Sequence, residues 1–183
     1  INIVVLASLW AANEIFIGRW LKSVNIFSAG LYLSFFSVLM VIFGKKLAPV
    51  MGSVFLMGII AAFFKFLFTG FNANVPFLAL IIQAAIGEGV WLILRLNLTS
   101  ALLTGILIHC YTAFHPILHG SQLIKSRYYL QFSRWVLAVQ PSASDSDLRV
   151  PLYLLVVHAL LGILSGIIAW FLTGWLLKWK RDR

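Results

Sequence analysis

Long apolar runs alternate with short polar connections along most of this chain. Spanning the hydrocarbon core of a bilayer takes about 20 apolar residues in a helix. Six stretches fit this requirement, and the short connections between them carry Gly, Asn, Ser or Pro, which favour turns. The expected spans are residues 1–20, 27–43, 51–68, 76–94, 100–118 and 151–177. The pattern therefore predicts an all-α integral membrane bundle of six transmembrane helices, forming a single domain over residues 1–183.

One long connection, between the fifth and sixth spans, contains an amphipathic segment. Its apolar residues recur at spacings of three or four: Ile124, Tyr128, Phe132, Trp135 and Val139. This spacing predicts an amphipathic helix that lies in the membrane interface or caps the bundle. A helical extension of the fifth span would give the same pattern. Residues 140–147 are polar and predict a surface loop.

Composition and charge place the chain in a membrane. Hydrophobic residues make up 62% of the sequence and charged residues only 10%. A soluble domain of 183 residues cannot bury so much apolar surface. The net charge of +9 suggests nucleic acid as a partner, but we exclude it because the basic residues flank apolar segments. The dense basic cluster at the C-terminus favours both termini in the cytoplasm.

Polar side chains inside the expected spans are candidates for function because burying them in a membrane is costly. With a rise of about 1.5 Å per residue, one such side chain from each of five spans falls in the outer third of the bundle: Glu14, Lys65, Gln83, His115 and His158. We predict that these residues bind a small polar or zwitterionic substrate that enters from outside. A structural Glu14–Lys65 ion pair is the alternative. Glu88 is expected deeper, near the middle of its span, in a structural or coupling role.

Three histidines lie close together in the segment HCYTAFHPILHG. On a helix His115 and His119 share a face while His109 points elsewhere, so they do not form one ligand set, and we predict no metal site. Pro116 predicts a kink. Haem would need histidines on two helices, and His109 or His115 with His158 is an open alternative. No nucleophile–base pair has a convincing spacing, so we predict no enzyme activity and no cofactor.

Small residues four positions apart let a second helix pack closely. Ala7 and Ala11 have this spacing in the first span, and Gly162 and Gly166 have it in the last. Packing within the bundle and contact with another subunit both explain such pairs.

These features together resemble the substrate-binding S component of an energy-coupling-factor (ECF) transporter. The resemblance rests on six expected spans in 183 residues, the Ala7–Ala11 pair, and residues 27–67 with their short Pro/Gly turn. It implies capture of a vitamin-like micronutrient, a membrane T component and cytoplasmic ATPases as partners, and contact of Ala7 and Ala11 with the T component. The amphipathic segment, with Tyr128, Tyr129 and Trp135, is then expected to act as a lid. The alternative function is that of an accessory or haem-ligating subunit of a larger membrane complex.

Overall fold

The structure is a computed structural model that describes residues 3–70, 75–115, 127–136 and 149–182. These residues are largely helical, and no strand occurs among them. The helices are α1 (Ile3–Val24), α2 (Ile26–Leu47), α3 (Ser53–Phe68), α4 (Val75–Leu94), α5 (Leu98–Phe114), α6 (Arg127–Val136) and α7 (Arg149–Arg181). The all-α prediction is confirmed for this part of the chain. His119, Pro116 and the 140–147 loop lie outside the described residues.

Within the described residues, four helical segments are long and apolar enough to cross a membrane: Ile3–Val24, Ile26–Leu47, Phe77–Leu94 and Pro151–Trp179. The apolar helices α3 and α5 are shorter, with 16 and 17 residues. At about 1.5 Å per residue they measure roughly 24 and 26 Å, against about 30 Å of hydrocarbon. The structure therefore supports a multi-pass membrane protein, and the count of six spans stays a prediction.

Helix α2 is the central element of the bundle, because it contacts each of the other described helices. It begins where the side chain of Asn25 accepts a hydrogen bond from the Ser28 backbone N–H at 3.0 Å. Such a cap satisfies one of the free N–H groups at a helix start. Along α2, Ser34, Ser37 and Val38 are fully buried. Small side chains on a central helix let several neighbours approach at once.

The two ends of the bundle differ in character. At one end, which we call the basic end, α2 and α4 finish and Lys45, Lys46 and Arg95 lie there. At the other, which we call the cap end, α2 begins and α6 packs over it. The Phe27 and Phe132 rings have centroids 5.4 Å apart, and the Gln131 Oε1 accepts a hydrogen bond from the Phe27 N–H at 3.0 Å. The expected amphipathic helix thus exists as α6, and it caps the bundle.

Helices α5 and α7 touch through their backbones. A β-carbon added at Gly162 would lie 2.6 Å from the Gly105 carbonyl oxygen, and one at Gly166 would lie 2.7 Å from the Ala101 carbonyl oxygen. Both distances are far below ordinary van der Waals contact, so only glycine fits at either position. The Gly162–Gly166 pair therefore packs inside the bundle, as one of the two sequence interpretations proposed.

A buried carboxylate holds the turn between α2 and α3 at the basic end. Glu88 Oε1 lies 2.6 Å from Lys45 Nζ and accepts the Gly52 N–H at 2.8 Å, while Oε2 accepts the Val54 N–H at 3.1 Å. Lys45 also donates to the Val50 carbonyl at 2.8 Å. The carboxylate thus caps the start of α3, where negative charge is favoured.

The turn itself depends on Gly52, which has a φ of +79° that glycine adopts without strain. The expected mid-span depth of Glu88 is wrong, because its side chain reaches the first residues of α3 near the end of the bundle. Its contacts favour the structural role over the coupling role.

We expect Gly162→Ala to destabilise the bundle by about 1–3 kcal/mol, because the new methyl group forces α5 and α7 apart. Gly89→Ala is the matched control, since a β-carbon there meets nothing within 4 Å. It should be neutral or stabilising by up to about 1 kcal/mol. Unfolding of the detergent-solubilised protein by sodium dodecyl sulfate measures both. Equal stability of the two variants would contradict the close contact.

We expect Glu88→Gln to cost about 3–5 kcal/mol in the free energy of unfolding, because it leaves the Lys45 ammonium buried without its counter-charge. Arg95→Asn serves as the control: Arg95 is exposed, and Asn tolerates its φ of 58°. The control should change stability by less than about 0.5 kcal/mol. A loss in Glu88→Gln no larger than in the control would show that the carboxylate does not hold the turn.

Candidate functional site

Glu14 and Lys65 form a buried ion pair in the half of the bundle nearer the cap end. The Lys65 Nζ lies 2.8 Å from Glu14 Oε2, and each side chain is 8% exposed. Removing two charges from water is costly, and good geometry between them offsets that cost only in part. The Glu14–Lys65 ion pair, which the sequence offered as the alternative to substrate binding, is therefore present in the structure.

The backbone around Glu14 departs from a regular α-helix. Asn13–Ile17 form a π-helical turn within α1, with α-helix on both sides. Single π-turns are rare and occur frequently at functional sites. Next to Glu14, the Asn13 Oδ1 accepts a hydrogen bond from the Tyr32 hydroxyl at 2.8 Å. This one turn of α1 is thus tied to α3 through Glu14 and to α2 through Asn13. We call Asn13, Glu14, Tyr32 and Lys65 the outer polar group.

A second set of polar side chains lies deeper, around the middle of α2. The Trp10 indole N–H donates to the Ser37 hydroxyl at 3.1 Å. The Ser34 hydroxyl donates to Thr112 at 2.7 Å. Both serines are fully buried. These contacts join α2 to α1 on one side and to α5 on the other through side-chain hydrogen bonds.

His109 and His158 face each other between α5 and α7. Their ring centroids are 5.9 Å apart, and the residues are 2% and 0% exposed. His158 also lies edge-on to Phe27, with centroids 6.3 Å apart, which places it beneath the α6 cap. Neither ring nitrogen of His109 has a hydrogen-bond partner among the described residues.

Helix register places Gln83 and His109 at the level of Ser37. Helices α2 and α4 run parallel, and Gly87 on α4 packs against Val41 on α2. Four residues before each of these lie Gln83 and Ser37, which are therefore level with each other. Helix α5 runs antiparallel to α2, and its Thr112 is hydrogen-bonded to Ser34 on α2. His109 lies three residues before Thr112 and Ser37 lies three residues after Ser34, so His109 and Ser37 are level with each other. We call Ser37, Gln83, His109 and His158 the inner polar layer.

The five predicted binding residues therefore do not share one layer. The Phe66 and Phe77 rings are in contact, with centroids 5.8 Å apart, which fixes the level of Lys65 on α4. Lys65 precedes Phe66 on the antiparallel helix α3 and is therefore level with Leu78. Gln83 is five residues further along α4, or roughly 8 Å deeper than Lys65. Counting residues from span ends missed this offset, because the helices are staggered relative to each other.

His115 also lies apart from the other predicted residues. The Tyr111 hydroxyl is 3.1 Å from His115 Nδ1, one turn earlier on the same helix. The ring contacts of His158 within the described residues are with Phe27 and His109. The sequence had offered His109 only as a possible haem ligand and not as a binding residue, although a histidine in a mid-span position was a usable signal. Tyr32 gave no comparable signal, because a tyrosine in an apolar span is common.

A haem group does not fit between His109 and His158. Bis-histidine ligation sets the porphyrin plane between two rings on facing helices. One turn below this pair, the backbones of α5 and α7 touch at Gly105 and Gly162, which leaves no gap as wide as a porphyrin. No group of three or more His, Cys, Asp or Glu side chains suited to a metal ion occurs among the described residues.

Ala7 and Ala11 lie inside the bundle. They are 0% and 1% exposed and belong to the main hydrophobic core. The surface of α1 is formed instead by larger apolar residues such as Val5, Leu9 and Phe16. The burial of Ala7 and Ala11 supports packing within the bundle as the reason for their spacing.

Comparison with protein-family models, with curated proteins and with solved structures gives no significant match. The polar groups described above therefore carry the functional argument.

A double-mutant comparison separates the two ion pairs. We expect Glu14→Leu or Lys65→Met alone to cost about 3–5 kcal/mol, because each leaves a buried charge uncompensated, and we expect the double variant to recover most of that loss. The double variant Glu88→Leu/Lys45→Met should not recover, because the Gly52 and Val54 N–H groups lose their acceptor. Chemical unfolding of both double variants and of the four single variants that compose them, Glu88→Leu and Lys45→Met included, measures the difference. Additive losses at Glu14 and Lys65 would contradict this account.

Proposed function

We propose that this protein is the substrate-capture subunit of a bacterial ECF-type importer and binds a small polar, vitamin-like molecule within the bundle. The observation that carries the proposal is the set of buried polar atoms that lack partners in the described part of the chain. Those in the two polar groups include the Asn13 Nδ2, the Gln83 Oε1 and both ring nitrogens of His109, while the Trp91 Nε1 and Thr104 Oγ1 lie outside these groups. A buried polar atom without a hydrogen bond costs about 1–3 kcal/mol. A bound polar ligand offsets that cost, so these groups are suited to ligand binding.

The chemistry of these groups defines the ligand class. The Asn13 amide nitrogen donates, the Gln83 carbonyl oxygen accepts, and a neutral His109 does one of each. A ligand that spans both levels needs donors and acceptors roughly 8 Å apart, the offset between Lys65 and Gln83. A zwitterionic ligand can also exchange with the Glu14–Lys65 pair, its cation taking Glu14 and its anion taking Lys65.

In this proposal the substrate contacts are Glu14, Lys65, Gln83 and His158, as inferred from the sequence, with Asn13 and His109 added. His115 contributes from the rim, because it is only half-buried. The helix α6 serves as the lid. Its contacts with Phe27 cover the side of His158, so moving α6 away opens a path to the inner polar layer.

The proposal also includes the membrane arrangement and the partners. Six spans, with both termini in the cytoplasm of a bacterial inner membrane, bring the cap end to the outer face. A membrane T component and cytoplasmic ATPases supply the energy, since we propose no catalytic role for this chain. Contact of the T component with Ala7 and Ala11 requires α1 to move, because both side chains are buried.

The test compares affinity with stability. Gln83→Met and His109→Phe replace costly buried polar groups with apolar ones of similar size. We expect each to weaken binding of a vitamin-class ligand by roughly tenfold or more, the equivalent of about 1.4 kcal/mol, while the protein keeps or gains thermal stability. A panel of water-soluble vitamins, screened by thermal shift and quantified by calorimetry on the purified protein, supplies the ligand.

Thr173→Val is the matched control, because Thr173 is buried but bonds to the Ala169 carbonyl far from both polar groups. It should leave affinity unchanged. The proposal fails if no compound in the panel binds, or if both variants bind as tightly as the natural protein.

A further inference from the structure

A groove of about 430 Å³ opens at the basic end, far from both polar groups. It is lined by Lys46, Leu47, Gly174, Leu177 and Lys178. Its walls come from the last turn of α2 and the last turns of α7. It thus combines two ammonium groups with two leucine side chains in one concave surface.

The positive charge of the groove is not neutralised by a neighbouring acid. The two salt bridges of the described residues join Lys45 to Glu88 and Lys65 to Glu14, so neither Lys46 nor Lys178 has a carboxylate partner there. The buried Glu88 at this end is fully engaged by Lys45 and the start of α3. Asp182 follows Lys178 by one helical turn but forms no salt bridge with it, so an anion entering the groove meets two cations that are not paired with an acid in the described part of the chain.

Lys46 is held in position with hydrogen-bonding capacity to spare. Its ammonium donates to the Trp170 carbonyl oxygen and lies 3.6 Å from the centroid of the Trp170 ring. An ammonium group has three donors, and one is used by the carbonyl. Gly174 leaves room beside it, because a β-carbon there would lie 3.5 Å from the ammonium nitrogen. Lys178 is exposed.

The position of the groove along α7 matches the level of lipid headgroups. Trp175 and Trp179 flank it and are 61% and 49% exposed. Exposed tryptophans gather at the membrane–water interface, where one side of the ring is apolar and the other is hydrated. Basic pockets between membrane helices at this level bind anionic headgroups.

We propose that this groove binds the phosphodiester group of an anionic phospholipid. Lys46 and Lys178 contact the phosphate oxygens, and Leu47 and Leu177 contact the first methylene groups of an acyl chain. The apolar floor favours a lipid over a free phosphate ion, which has nothing to place against the leucines.

Native mass spectrometry of the full chain tests this, with phosphatidylglycerol and phosphatidylcholine offered at equal concentration. We expect preferential retention of phosphatidylglycerol. Lys178→Gln should lower that preference roughly fivefold, the effect expected from losing one lysine near an anionic headgroup. The double variant Lys46→Gln/Lys178→Gln loses two such lysines and should lower it roughly thirtyfold. Arg95→Asn, a cation removed at the same end but outside the groove, should leave it unchanged. Since Lys178 is exposed, its single variant keeps the test valid even if the double variant fails to fold.

Two results would overturn the proposal. Equal retention of both lipids, or a preference unchanged in Lys178→Gln, shows that the lysines only compensate the C-terminal ends of the helices. Loss of the preference on adding inorganic phosphate, but not chloride at the same ionic strength, shows that the ligand is a soluble anion. Persistence of the preference in phosphate supports the lipid.

Discussion

The cost of burying charge in an apolar bundle governs this structure. Each of the two buried carboxylates, Glu14 and Glu88, has a lysine within 2.8 Å. Glu88 also accepts hydrogen bonds from two backbone N–H groups and caps α3, so it holds the turn between α2 and α3 in place. Among the described residues Glu14 has one salt-bridge partner, Lys65, with the Lys22 ammonium as a further cation near it, and it lies in a π-turn. The same type of pair therefore supports the fold at one end and is suited to ligand exchange at the other.

The second constraint is the close packing that small side chains allow. Helix α2 contacts every other described helix, and its buried serines supply hydrogen bonds to α5 and α1 without taking much space. The α5–α7 backbone contact at Gly105 and Gly162 fixes the rotation of α7, and that rotation turns His158 toward His109. The inner polar layer thus depends on glycines more than one turn away from it.

The sequence was sufficient for the helices and for one contact of the site. Apolar run length predicted each long helix to within a few residues, because the hydrophobic pattern is strong. Opposite charges at similar depths suggested the Glu14–Lys65 ion pair, although only as the alternative to substrate binding. The depth of Gln83 and Glu88 was beyond reach, since helix stagger is set by packing and not by distance from a span end. The His109–His158 contact was also beyond reach as a definite prediction, because it requires the relative rotation of two helices distant in sequence.

The central claim is that the inner polar layer contacts a bound polar ligand, and nitrogen-15 NMR of the histidine rings tests it most directly. The chain has four histidines, so the His109 signals can be assigned from the spectrum of His109→Phe. We predict that a vitamin-class ligand that binds the protein in lipid nanodiscs shifts the His109 ring nitrogen signals, as a new hydrogen bond forms there. Saturating binding with unchanged His109 signals would place the ligand elsewhere and contradict this account.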